Sequence, residues 1–209
     1  TTWNIPHLAI TSIRLELERL NQHVLQMAIH SIHKNRPSEW FVQQHQLTER
    51  NILKIGEFSR QLYQQHINEQ IADKLADLLR IAQYFDAISY LSGAVYQNRL
   101  LTSQPVEAEM QQKLAHFNVD CLMLLDESKL DKPHPQLNNR LEELEQTYHS
   151  LKAFLLRRGA EGRLSIARMD KELQAISQLR RICQQAVKAC RFYQDSSFAP
   201  TEQTLHESI

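Results

Sequence analysis

At 209 residues with 42% hydrophobic content, the chain is long enough to bury a sizeable core, as one domain or as two small ones. Its 24 basic and 24 acidic side chains cancel, which argues against the global charge that nucleic-acid binding needs. Only 4 glycines and 6 prolines interrupt a composition rich in Leu, Gln, Glu, Lys, Arg and Ala, so long helices are expected and sheet is not.

Six helices follow from punctuation and period. The first opens after Asn4, an N-cap residue, with Pro6 in its first turn. Its apolar residues Ile10, Ile13, Leu17, Leu20, Val24 and Met27 alternate spacings of three and four, a seam that packs helix on helix. "KNRP" ends it near His33. The second is expected over about 38–66, with Ile52, Ile55 and Leu62 inward and Gly56 allowing close approach. The third, from near Asn68 to about Leu100, carries Ile71, Leu75, Leu78, Ala82, Phe85 and Ile88. "LLTSQP" breaks the pattern. A fourth helix over about 106–130 shows Met110, Leu114, Phe117, Cys121 and Leu125, and "DKPHP" stops it because proline cannot continue a helix. The fifth, about 136–158, has the seam Leu137, Leu141, Leu144, Tyr148, Leu151 and Leu155, closed by "GAEG". The sixth runs over about 165–193 with Ser165 as N-cap, and residues 194–209 lack a seam and read as a disordered tail. Three helices, a break and three more predict an all-α protein of two tandem three-helix bundles, six long antiparallel helices, with bundles over 5–100 and 105–193. The third helix of each half shares a register that matches Phe85 with Leu179, Asp86 with Arg180, Ile88 with Ile182 and Tyr90 with Gln184.

Charge is uneven along the chain. Residues 150–193 hold ten Lys/Arg against three Asp/Glu, while residues 101–149 hold four against nine. Helices packed side by side would let the two stretches neutralise one another. The odd count of three cysteines, Cys121, Cys183 and Cys190, at apolar helical positions fits reduced core thiols of a cytosolic protein. The longest apolar run, "CLMLL", is far short of a membrane span, no signal peptide is present, and the start "TTWNIP" without Met reads as a piece of something longer.

Chemistry-bearing patterns are sparse. A carboxylate-bridged metal site in a bundle wants Glu-x-x-His on two helices, and that spacing occurs nowhere here. His30 and His33 lie one turn apart, and His45 and Glu49 lie at i, i+4. There is no GxSxG turn and no loop-borne Cys/His pair, so nucleophilic catalysis has no candidate. "RRGAEGR" offers the pieces of an anion nest, with Arg157, Arg158 and Arg163 beside the start of helix six, against the plainer reading of a helix C-cap and turn. Helix six carries Arg168, Lys171, Arg180, Arg181, Lys188 and Arg191, read as a solvated face or as a surface for lipid headgroups or an acidic partner.

"IPHLAITSIRLELERLNQHVLQMAIHSI" resembles the opening helix of PhoU domains, tandem three-helix bundles that act in bacterial phosphate uptake. The resemblance covers residues from about 5 to 193. It is nearest the version fused behind the membrane part of sodium/phosphate cotransporter-like proteins, where a segment similar to "YHSLKAFLLRRGAEGRLSIARMDKELQAISQLRRICQQAVKA" closes the domain. PhoU domains often carry acidic-x-x-x-Asp on the third helix of each repeat, stacking two carboxylates on one face for metal. Here the first copy reads "FDAISYLS", with Asp86 kept and Tyr90 in the second place, and the second reads "LRRICQQA", with Arg180 and Gln184. The resemblance therefore implies a metal site lost from this chain, with no cofactor and no catalytic residue. It implies a non-enzymatic regulatory or interaction domain tied to sodium-dependent phosphate transport. The domain would sit in the cytoplasm at the inner face of the bacterial inner membrane and act through helix-surface contacts. Its partner would be a membrane transporter segment of the same or another protein, or a second copy in a homodimer, and not nucleic acid. The competing expectation is a free-standing metal- or phosphate-sensing module in which Asp86 joins Glu49, Glu57 or histidines.

Overall fold

The computed structural model describes residues 4–197. Among them are six α-helices and no strand: α1 Asn4–His33, α2 Ser38–Tyr63, α3 Glu69–Leu100, α4 Ala108–Glu127, α5 Leu137–Ala160 and α6 Ile166–Asp195. None is long and apolar enough to cross a membrane.

The seams read from the sequence are the buried stripes. On α1, Ile10, Leu17, Val24 and Met27 are wholly buried, and on α3 so are Leu78, Phe85 and Ile88. Two caps are set by side chains: Asn68 Oδ1 accepts from the Ile71 amide at 2.9 Å, and Ser165 Oγ accepts from the Arg168 amide at 3.2 Å. Helices α1, α2 and α3 pack on one another, α4, α5 and α6 do likewise, and the broadest interface of all is α3 against α6. Phe85 and Ile88 of α3, and Leu179, Ile182 and Cys183 of α6, are completely buried, and one hydrophobic cluster runs through both halves. Polar pins cross the same boundary. Asn98 Nδ2 donates to Gln178 Oε1 at 2.9 Å. The buried Asn21 of α1 accepts from the Leu130 amide and donates to the Ser128 carbonyl, closing the end of α4 from the other half.

Several expected boundaries shift. Helix α2 ends at Tyr63 rather than 66, because the chain turns through His66 at a φ of 56°. Helix α4 stops at Glu127, where Ser128 leaves helical geometry and Asn21 takes over the hydrogen bonding of the following turn. Gly56 does not mediate a close approach, since a Cβ there would meet nothing within 4 Å. Gly159 does: a Cβ would meet the Met169 side chain across the α5–α6 turn. Gly162, at a φ of +69°, supplies the left-handed residue of that turn. At the other end α6 continues to Asp195 and Ser196 is fully buried, so residues 194–196 are ordered helix and cap; the rest of the expected tail, 198–209, lies outside the described residues.

Candidate functional site

Matched positions of the two halves hold opposite chemistry. In the first, α2 faces α3 through His45, Glu49 and Asp86, whose ligand-type atoms all lie within 4.8 Å of one another. The arrangement comes from helical spacing: His45 and Glu49 are one turn apart on α2, and Asp86 lies one turn before the buried Ser89 on α3. Ser89 Oγ donates to the Asp86 carbonyl at 3.0 Å and stands 2.6 Å from His45 Nδ1, so it accepts the Nδ1 proton. That bond turns His45 Nε2 towards Glu49 Oε1, 3.3 Å away. In the neutral ring Nε2 then carries a lone pair aimed at a carboxylate, a disposition that favours a shared proton or a cation. His45 is a quarter exposed and Glu49 about half exposed, 25% and 53% by side chain, so the group opens to solvent. Tyr90 points its ring at His45, with centroids 6.0 Å apart, and is itself exposed. Glu57, two turns further along α2, is not part of the group. Arg60 binds it at 2.8 Å and, with Gln61, holds its carboxyl below the usual range. His30 accompanies neither: its ring bonds Asn35 at 2.7 Å and packs edge-on against Trp40, while His33 is exposed.

In the second half Arg180 occupies the place of Asp86. Its Nε lies 2.7 Å from Glu145 Oε2 of α5, Gln184 donates to Glu145 Oε1 at 2.6 Å, and the guanidinium sits 4.5 Å over the Tyr148 ring. Here the positive charge is covalently attached to the helix and its acid is already bidentate in use. A divalent cation does not fit beside it. The first-half trio, by contrast, has one imidazole nitrogen and two carboxylates from two helices, a donor set that fits a divalent cation with water completing its shell.

The acidic segment neutralises part of the basic one, through Arg158, Arg163 and Arg180. Arg158 contacts Glu107 at 2.6 Å, Glu109 at 2.7 Å and Glu161 at 3.0 Å, and Arg163 contacts Glu107 at 2.7 Å. Of the three arginines read as an anion nest, two therefore face the protein's own carboxylates and Arg157 is exposed outside that cluster. Along α6, Arg168 binds Glu172 at 3.1 Å and Arg191 reaches Asn138 at 3.3 Å, while Arg181 and Lys188 are exposed. The thiols are quiet as well. Burial pushes Cys121 well up and Cys190 up to about 12, so neither presents a thiolate near neutral pH.

No family model matches the chain, and no curated protein matches it. One solved structure is similar, the phosphate transport system regulatory protein PhoU from Streptococcus pneumoniae, with a TM-score of 0.61 over 90% of this chain and 94% of that one. Sequence identity is 16%, so the likeness establishes the fold: this chain has the PhoU-like arrangement of six helices.

Proposed function

We propose that the chain is a non-enzymatic regulatory domain of phosphate transport, acting by helix-surface contact with the cytoplasmic side of a sodium-dependent phosphate transporter or with a neighbouring copy. The observation that carries this reading is a likeness to a phosphate transport regulator that spans 90% of the chain and both of its halves. Contact of this kind biases a transporter by binding one conformational state more tightly than another. Helix α2 offers such a surface, with Val42, Leu53 and Tyr63 more than half exposed. The test is an in-frame deletion of the codons for residues 4–197 at the native locus, with sodium-driven uptake of radiolabelled phosphate followed as external phosphate is varied. Uptake that no longer responds to supply is the expected result, and an unchanged response refutes the reading. The full reading frame adds a second check, since attachment to a transporter requires several apolar stretches of about 20 residues in the same polypeptide.

A second reading, a metal-sensing module, is favoured by one specific observation, the convergence of His45, Glu49 and Asp86. These three would hold a divalent cation, which would supply charge neutralisation between α2 and α3. Ser89 fixes the ring of His45, and Glu49, about half exposed, approaches its Nε2. Metal analysis of protein purified without chelator separates the two readings. One ion per chain, lost in Asp86→Asn, supports sensing; protein free of metal retires it.

A further inference from the structure

The end of α3 holds a charge that the fold does not balance. Arg99 is 7% exposed, and among the described residues no carboxylate lies within ion-pair distance of it. Its Nη2 donates to Asn118 Oδ1 at 2.8 Å, a neutral acceptor, and its buried Nε has no hydrogen-bond partner. The nearest acid, Glu172, is buried and already bound by Arg168 at 3.1 Å. Burial accordingly weakens the hold of Arg99 on its proton, with Glu172 only partly offsetting this. A buried guanidinium without a counter-ion is costly, and folds retain one where something else completes it.

The surroundings say what that is. Arg99 lines a groove of about 440 Å³ where the link between the two halves passes, and Lys34, Thr102, Asn118, Arg168 and Glu172 line it too. Three cations face one carboxylate there, a net of two positive charges. Arg168 is held over the groove from its other side by the Gln104 carbonyl at 3.0 Å. Thr102 and Ser103 line it as well, the buried Thr102 hydroxyl being donated to the Asn98 carbonyl. The whole is walled by α3, α4, α6 and the end of α1, so an ion seated in it would touch both halves.

We propose that this groove binds a small dianionic oxyanion of phosphate type, with Arg99 as its buried anchor and Lys34 and Arg168 as flanking cations. The guanidinium keeps an N–H, at Nε, that no protein group accepts, and the net charge of the groove matches a dianion. The site is separate from Arg157, Arg158 and Arg163 and from the His45 group, and it does not rest on the transport reading.

Thermal unfolding of the whole chain in sulfate, phosphate, chloride and acetate at matched ionic strength tests it, with dissociation constants from calorimetry. Sulfate and phosphate are expected to raise Tm saturably and the monovalent anions not to. Lys34→Asn keeps the left-handed backbone of that exposed residue tolerable and should weaken binding about fivefold; Arg99→Gln, where it folds, should weaken it by at least about tenfold. Lys188→Gln, on the exposed face of α6, should leave it unchanged. Dianions that act no differently from chloride, or a Lys34→Asn chain that binds like the parent, overturn the proposal. Vesicles with phosphatidic acid distinguish the source: binding to them that free phosphate competes away assigns a lipid-borne phosphate, and binding of the free ion alone assigns the free ion.

Discussion

The two halves use one helical position in opposite ways. At Asp86 two carboxylates stand beside an imidazole, and at Arg180 a single carboxylate is gripped by a guanidinium and an amide. In the first half acids from α2 and α3 face one another beside a histidine, while in the second the acid of α5 is paired by side chains of α6. The lesson is that a change of charge at one helical position changes what its neighbours must supply, leaving the packing around it alone. Below Asp86 and Arg180 the core positions Phe85 and Leu179 are equally buried.

That equality gives the largest expected effect. Phe85→Ala and Leu179→Ala should each cost about 3–5 kcal/mol by opening a cavity in the α3–α6 seam. Because one cluster joins both halves, either change should lower the Tm of a single cooperative transition by calorimetry. Two separate transitions, with one left unmoved, would break the picture of joined halves. Next comes Glu145→Gln. It leaves Arg180 partly buried without its acid and should cost about 1–2 kcal/mol in urea unfolding.

A smaller effect is tied to pH. Burial, partly offset by a bond with the Gln44 backbone, lowers His23 below its ordinary 6.5, and its Nε2 has no partner. The folded protein therefore keeps this ring neutral while the unfolded chain takes up a proton. Stability from this group is complete above 6.5 and is lost as pH falls below that value. His23→Gln should flatten the loss between roughly pH 7 and 5, by less than about 1 kcal/mol given the partial exposure of the ring. The smallest change is Asp86→Asn. By relieving repulsion with Glu49 it should stabilise the protein by at most about 0.5 kcal/mol in urea, opposite in sign to Glu145→Gln. A destabilisation by Asp86→Asn would mean that the first half is balanced by something other than repulsion.

The seams of α1, α3 and α5 were legible because apolar residues at three-and-four spacing have one place to go, against other helices. Asp86 was legible as a surviving acid, and Arg180 as a cation in its mirror place. What stayed hidden needed tertiary register. The sequence offered Glu49, Glu57 or histidines as partners of Asp86, and only the packing of α2 on α3 selects His45 and Glu49, leaves Glu57 out and adds Ser89. Arg99 and Glu172 were not singled out in the sequence, and nothing in their neighbours' identities announces that the joining of the halves buries them. Asn21 gave no signal in the sequence, although it caps the turn after α4. Gly56 misled because glycine within a helix marks close approach only where a neighbour arrives, and here none does.

Regulation of transport by helix-surface contact is tested most directly in membrane vesicles from cells lacking the coding region for residues 4–197, loaded for sodium-driven phosphate uptake. Adding the purified chain to the exposed cytoplasmic face should change the initial uptake rate saturably, with no effect when the gradient is potassium. Rates that superimpose with and without the chain, at concentrations well above those of the transporter, would contradict the account.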